Sequence, residues 1–572
     1  MPIGRKNKDL KKITSLRRSQ VISTYGIGAL IPVASESFIM MGQDAWPAFW
    51  IKNEENQIRD ISFAKSLGID YFVLPPGEKT SLPVRRFPEW VSCSKCKRLA
   101  PWDYLAIREP KSKEKLNFCR FCETKDANLI TSRFVAACAA GHIEDFPYRA
   151  WVHERVENNG DEHQLYLKVN SKDDTLKGLR VECSCGAKRT LEGALGRGAI
   201  SKRCSGQAIW LLDNPNFDCT EKLVGLQRGA TRVWQAETKS RISIEIAESD
   251  LERSVGDKFD KLLSIPSELL PAIIGYDFPG ENVAEVLSVF ERLKRKLVDS
   301  PDLRQQEYEA FQTNQPEITG EEEFVCVTSE LPDKEKVRSK IQLTSQVPRM
   351  KEIRAMVGFS RVDPTDEEKK TPPLSQETEK WLPAIEVFGE GIFLKIDDQA
   401  LRQWEESPFA KSRAEKINKA GDANESKKLT TPRKLLLHSL SHALLNELAL
   451  ITGYPASSIA ERIFAEEKQS GIFLYTATSD SAGSLGGLCS QGAPENMIRL
   501  LENAIQSASW CSADPVCIES HPHGVDHSNL AACHYCMLAP EVSCENRNLH
   551  LDRACLVGTP EDTQAGFFSL LV

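Results

Sequence analysis

The spacing of the cysteines constrains this chain more than any other feature. Residues 93–96 read CSKC and residues 119–122 read CRFC, a C-x2-C-x22-C-x2-C pattern. A C-x2-C knuckle turns two thiols toward one point, and two knuckles complete the tetrahedral four-thiolate shell that zinc prefers. The pattern predicts a closed structural zinc on Cys93, Cys96, Cys119 and Cys122. The spacer slightly exceeds the usual zinc-ribbon loop. A redox pair would open a helix after a strand, and that context is not evident.

A second set, Cys183, Cys185, Cys204 and Cys219, is spaced C-x-C-x18-C-x14-C and reads as another zinc site. Cys138 and His142, in CAAGH, could replace one or two of these ligands. The competing reading of that pair is a buried thiol and a turn histidine. A third set holds Cys511, Cys517, Cys533, Cys536 and Cys544, five thiols within 34 residues. One ion needs four ligands, and the spacing does not say which thiol is left out. The knuckle Cys533/Cys536 is the firmest part, and His521, His523, His527 and His534 lie near enough to compete. We therefore expect two to three structural zinc ions. Sites closed by four protein ligands hold a fold together and imply no reaction.

Redox compartment decides between metal and disulfide. The start, MPIGRKNKDLKK, has charge but no apolar run behind it, as a secretory signal would. No run of 18 apolar residues suggests a membrane span. The expected location is cytoplasmic, where 17 cysteines stay reduced and favour metal.

At 572 residues the chain exceeds one core, and about three or four domains are expected. The fold class reads as α+β and multidomain, with small zinc-ribbon modules inserted between mixed α/β and helical regions. ESFIMMG, DYFVLPP and RISIEIA read as strands, and ENVAEVLSVFERLKRKL as a helix. WLPAIEVFGEGIFLKID reads as two strands around a turn at Gly389-Glu390-Gly391. Two charged stretches, 362–379 and 410–432, lack strong apolar periodicity and read as loops or linkers. The division is a basic arm and β-rich region at 1–88, a double zinc-ribbon region at 89–235, and a mixed α/β domain at 236–409. A linker at 410–432 and a zinc-binding domain at 433–572 complete it.

A net charge of −8 argues against a surface that coats nucleic acid everywhere, so DNA contact would need a local patch. Residues 1–18 carry Arg5, Lys6, Lys8, Lys11, Lys12, Arg17 and Arg18 against Asp9. They read as a solvated tail or as an arm reaching for phosphate. RMKEIRAMVGFSR carries Arg349, Lys351, Arg354 and Arg361 beside Phe359. Cations next to an aromatic ring can track a nucleic-acid backbone; the alternative is a solvated helix face.

No G-x-x-x-x-G-K-[ST] loop is present, so no P-loop ATPase is expected. His438 and His442 lie one helical turn apart, with Asn446 continuing the stripe. A zinc protease needs Glu between them, and Ser439 stands there. The stripe reads as satisfied polar groups on a buried helix. A phosphodiesterase or nuclease using His438, His442 and the Ser/Gly loop 478–488 is the enzyme alternative, and a protein-only scaffold is another.

Several stretches together are similar to the DrmB family, a core component of DISARM bacterial anti-phage systems. They include RRSQVISTYGIGALIPV, FVAACAAGHIEDFPYRAWVH, VPRMKEIRAMVGFSR, LLLHSLSHALL and GIFLYTATSDSAGSLGGL, spread over nearly the whole chain. The region 430–560 resembles the MrfA zinc-binding domain, otherwise found fused to superfamily 2 helicases. That resemblance implies Cys533, Cys536 and Cys544 as ligands, with Cys511 or Cys517 as the fourth. It also implies a non-catalytic subunit beside a DrmA-like helicase, recognising invading DNA with a free or single-stranded end. A DNA methyltransferase and a phospholipase-D-like protein are sibling components and candidate partners.

Overall fold

In the computed structural model the described residues are 13–571, apart from 78–79, 109–114, 123, 125, 154–162, 171, 245–249, 295–301, 318–322, 332–336, 338, 363–370, 422–428, 479–486 and 525–526. Most of the basic arm and of the 478–488 loop therefore lies outside the described residues. The protein mixes helices and sheets, in accord with the α+β expectation. It divides into two compact units. One gathers Met1–Arg59, Ile69–Lys239 and Arg354–Ile385; the other gathers Asp60–Gly68, Ser240–Ile353 and Glu386–Val572.

The first unit is built from short antiparallel strands. A six-stranded sheet runs in the order Leu129–Thr131, Trp90–Cys93, Arg98–Pro101, Leu165–Val169, Leu179–Cys183 and Lys188–Thr190. A three-stranded sheet places Phe134–Ala137 between Ile143–Asp145 and Val224–Gln227. Cys93 and Cys183 each end a strand, where the chain must turn, and a knuckle can form there. The core around the first knuckles is small: Val91, Leu105 and Leu129 are its sizeable aliphatic side chains, filled out by Cys93, Cys119 and three alanines. So little apolar surface leaves a module of this size in need of a metal or another staple.

The second unit is organised by long strands and one long helix. Within this unit, residues 341–353, 386–396, Gly471–Thr478 and Ile459–Phe464 are neighbours in one sheet. Side chains alternate across a strand. Ile472 and Leu474 face the core that holds helix Pro432–Thr452, and Phe473 and Tyr475 face an aromatic cluster with Phe311, Phe393 and Phe464. A sheet covered on both faces reads as an unbroken apolar run, hence GIFLY. The helix is likewise buried on every side along Leu435–Leu445, as a core helix is. It is long and apolar enough to cross a bilayer, yet 67% of that window is buried within the protein.

Three expectations change. WLPAIEVFGEGIFLKI is one continuous strand, Trp381–Ile396, not two. Its glycine answers to packing: a Cβ on Gly391 would sit 2.5 Å from two carbons of the Phe473 ring. The run 349–360 lies on strand Ile341–Ser360 rather than a helix, with Met350, Ile353, Ala355, Met356 and Phe359 buried. A helix covers Pro408–Gly421, overlapping the stretch 410–432 that reads as a linker. Its inner face is Ala410, Arg413, Ala414 and Ile417. Arg413 hides the periodicity, because its charge is buried in a two-pronged pair with Asp552 at 2.6 and 2.8 Å.

Candidate metal centres

Five groups of ligating side chains form among the described residues, and within each group the ligand atoms lie within 4.8 Å of one another. The scale to judge them by is simple. Zinc–sulfur arms of about 2.3 Å in a tetrahedron set sulfurs ~3.8 Å apart; nitrogen arms of about 2.0 Å shorten that edge to ~3.3 Å. A disulfide would bring sulfurs to about 2.05 Å, and all 17 cysteines are free thiols.

The first group is the expected one. Cys93–Cys122 and Cys96–Cys119 are each 3.8 Å apart. The N–H groups of Lys95 and Cys96 donate to Cys93 Sγ at 3.4 Å, the bonds of a knuckle. Burial opposes ionisation of Cys96, but the Arg98 N–H and the neighbouring thiols draw it down to about 7.

The second expected set does not form one site; the structure divides it in two. Cys204 and Cys219 join Cys138 and His142, with Cys138 3.9 Å from Cys219 and 3.5 Å from His142 Nδ1. Backbone pairing explains this: Cys138 N–H donates to His142 O, and Cys204 N–H to Glu221 O. Cys183 and Cys185 instead join His153 and His163. His163 Nδ1 is 3.4 Å from Cys183 Sγ, His153 Nε2 is 3.4 Å from Cys185 Sγ, and the two nitrogens are 3.3 Å apart. Strand register is responsible. Leu165 opposes Cys183 across the sheet, which brings His163 beside the knuckle. His153 is held by its Nδ1 on Arg149 O, leaving Nε2 to ligate. Neither histidine stands out in the sequence, since ligands from a neighbouring strand and from the end of helix Tyr148–His153 leave no local spacing.

The C-terminal set keeps both doubtful thiols and loses Cys544. Cys511, Cys517, Cys533 and Cys536 converge. Cys511–Cys533 is 3.5 Å, and Cys517–Cys536 and Cys533–Cys536 are 3.7 Å. The Cys517 thiol is drawn down to about 5, first by Cys536 and, against burial, by the Arg553 guanidinium. His523 Nε2 and His527 Nδ1 are hydrogen-bonded to the carbonyls of Leu530 and Pro522 instead of a metal group.

Cys544 lies with His438, His442 and Glu461. The main chain takes it there: Glu461 N–H donates to Ser543 O, and Glu545 N–H to Glu461 Oε1. The two histidines are fully buried. Burial holds His438 below the ordinary histidine range and pushes the Cys544 thiol well up.

The basic residues fare unevenly. Arg361 is fully buried, and its guanidinium donates to the carbonyls of Gly141, Val233 and Gly28 at 2.8, 2.5 and 2.6 Å. Phe359 is buried beside it against Gly28. Both are interior parts of the fold, which corrects their reading as nucleic-acid contacts. Lys351 is paired with Glu323 and Glu386 at 2.5 and 3.3 Å. Arg349 is 40% exposed and meets Glu317 at 3.0 Å. Arg354 is partly buried, and Arg17 and Arg18 are exposed.

Comparison with known proteins agrees with the cysteine geometry. The family model for the MrfA Zn-binding domain matches residues 440–537, and a domain of unknown function (DUF8724) matches residues 17–235. The chain is 28% identical over 567 residues to DISARM protein DrmB of Bacillus paralicheniformis, covering 92% of this chain and 98% of that protein. A crystal structure of the DUF1998 helicase MrfA bound to DNA matches 35% of this chain and 23% of its own. The identity there is 14% and the TM-score 0.18, too low to carry a fold argument. The resemblance read from the residues is thus borne out: the chain is similar to DISARM protein DrmB along nearly its whole length, and it carries an MrfA Zn-binding domain that, with its four-cysteine clusters, indicates structural zinc.

Proposed function

We propose that this chain is a zinc-stabilised, non-catalytic subunit of a DISARM-type defence system, working in the cytoplasm beside a DrmA-like superfamily 2 helicase. The observation that carries the proposal is the end-to-end similarity to DrmB, joined to a zinc-binding domain named for a helicase. The ligand residues are those of the converging clusters: Cys93, Cys96, Cys119 and Cys122; Cys138, His142, Cys204 and Cys219; His153, His163, Cys183 and Cys185; and Cys511, Cys517, Cys533 and Cys536. Each is closed by four protein ligands, which suits a structural ion.

The pair of proteins would recognise phage DNA, through a free or single-stranded end, with the helicase supplying ATP hydrolysis. Exposed Arg17 and Arg18, with Arg349 and Arg354, are the proposed phosphate contacts. Lys351 serves its two carboxylates first, and Arg361 is withdrawn from the set. The enzyme alternative loses support because His438 and His442 are both fully buried, out of reach of a phosphodiester.

The test compares the helicase alone, this chain alone and the two together. Duplex and single-stranded DNA binding are measured across salt, and strand cleavage is measured with several divalent metals. A subunit role predicts tighter, salt-sensitive binding by the pair and no cleavage by this chain. Unchanged binding would favour a protein-only scaffold. Cleavage abolished by His442→Ala would favour the enzyme.

A further inference from the structure

Helix Pro432–Thr452 carries His438 and His442 one turn apart, so both rings leave the same face. That face meets strand Ile459–Phe464, on which Glu461 shares a side with Ile459 and Ile463, both in the core that holds the helix. Cys544 arrives from the loop after Pro540, held by Ser543 and Glu545 as described above. The side chains of His438, His442 and Glu461 have no exposure, and Cys544 is 7% exposed.

The hydrogen-bond directions are the decisive observation. His438 Nδ1 lies 3.2 Å from His550 O, and His442 Nδ1 lies 2.7 Å from Met537 O. A carbonyl only accepts, so each Nδ1 carries the proton. In the neutral ring the other nitrogen, Nε2, is then a bare lone pair. Both Nε2 atoms face Glu461 Oε1, at 3.2 and 3.6 Å, and a carboxylate is also an acceptor. His438 Nε2 is 3.2 Å from Cys544 Sγ. That sulfur already accepts the Asn548 N–H at 3.1 Å. His442 Nε2 has no hydrogen-bond partner although it is buried. Four electron-pair donors thus converge in a dry pocket; Glu461 accepts the Glu545 N–H and the Ser441 hydroxyl, while His442 Nε2 accepts nothing. Left so, the lone pair of His442 Nε2 would stay buried and unsatisfied at a cost in folding.

We infer that His438, His442, Glu461 and Cys544 bind one divalent, zinc-class metal ion in a closed structural site distinct from the neighbouring four-cysteine cluster. One carboxylate and one thiolate balance a 2+ ion, so the pocket becomes electrically neutral. Imidazole with thiolate selects zinc over hard cations such as magnesium or calcium. The Nδ1 contacts to Met537 and His550 are the outer supports that orient metal-bound histidines. Met537 directly follows Cys536, and Asn446 Nδ2 donates to Cys536 O at 3.2 Å. The two sites therefore share the CHYCM turn, and the ion ties helix, strand and C-terminal loop together.

Two measurements on the full chain test this. Crystals grown with zinc are measured at the zinc absorption edge. An anomalous peak among these four side chains, besides one at Cys511/Cys517/Cys533/Cys536, is expected; a peak at the four-cysteine site alone overturns the inference. Native mass spectrometry then compares wild type with Cys544→Ala and His438→Gln. Each variant should carry one zinc fewer than wild type, and an unchanged count overturns it. If neither variant folds, the wild-type anomalous map decides alone.

Discussion

Cys119→Ser in the first cluster gives the sharpest consequence of metal-held folding. Cys119 is fully buried and closes a shell whose partner sulfur, Cys96, is 3.8 Å away. The surrounding core offers Val91, Leu105 and Leu129 as its larger side chains, worth about 1.5–3 kcal/mol each. A structural zinc in a small module contributes roughly 10–16 kcal/mol, more than those three side chains together. Serine is a far poorer ligand for a soft site, so much of that contribution disappears and residues 89–131 should open locally. Hydrogen exchange read by mass spectrometry is the assay. Peptides from 89–131 should exchange far faster than in wild type, while helix Pro432–Thr452, in the other unit, keeps its protection. Wild-type exchange at 89–131, with the full zinc complement retained, would refute the reasoning.

Other outcomes follow from particular side chains. Asp552→Asn leaves the buried Arg413 guanidinium without its counter-charge and should destabilise the second unit by about 3–5 kcal/mol, seen as a lowered thermal midpoint. Gly391→Ala forces a methyl against the Phe473 ring and Leu474 O and should cost about 1–3 kcal/mol in denaturant melts. Arg17→Glu with Arg18→Glu, and separately Arg349→Glu with Arg354→Glu, should lower the salt slope of DNA binding by the helicase pair, by about 1 for each phosphate no longer neutralised. Arg361→Met should instead reduce folded yield, because three buried carbonyls go without their donor, and leave that slope unchanged.

What the sequence disclosed follows from how far apart the partners lie along the chain. Cys93/Cys96 and Cys533/Cys536 are legible because a knuckle is a local turn that makes its own geometry. His153 and His163 are not, because strand register between Leu165 and Cys183 delivers His163, and His153 comes from the end of helix Tyr148–His153. Cys138 and His142 are visible as a pair, yet only the sheet around Phe134–Ala137 shows which cysteines they meet. Cys544 misleads by proximity. Eight residues past Cys536, it suggests the nearest knuckle, but its backbone follows Glu461 to the helix histidines. The stripe His438–His442–Asn446 does lie on a buried helix, as its pattern suggests. Its purpose is hidden because Glu461 and Cys544 lie on other elements. Charge misleads too: Arg361 reads as a nucleic-acid contact and Arg413 lies in a stretch that reads as a linker, and both are interior donors whose acceptors come from distant segments.

The proposed role rests most directly on what accompanies the chain. Tagged protein would be purified from cells that also express its neighbouring genes, and the recovered partners identified by mass spectrometry. A zinc-stabilised helicase subunit predicts stoichiometric recovery of a superfamily 2 helicase. Recovery of this chain alone, folded and zinc-loaded, would contradict it.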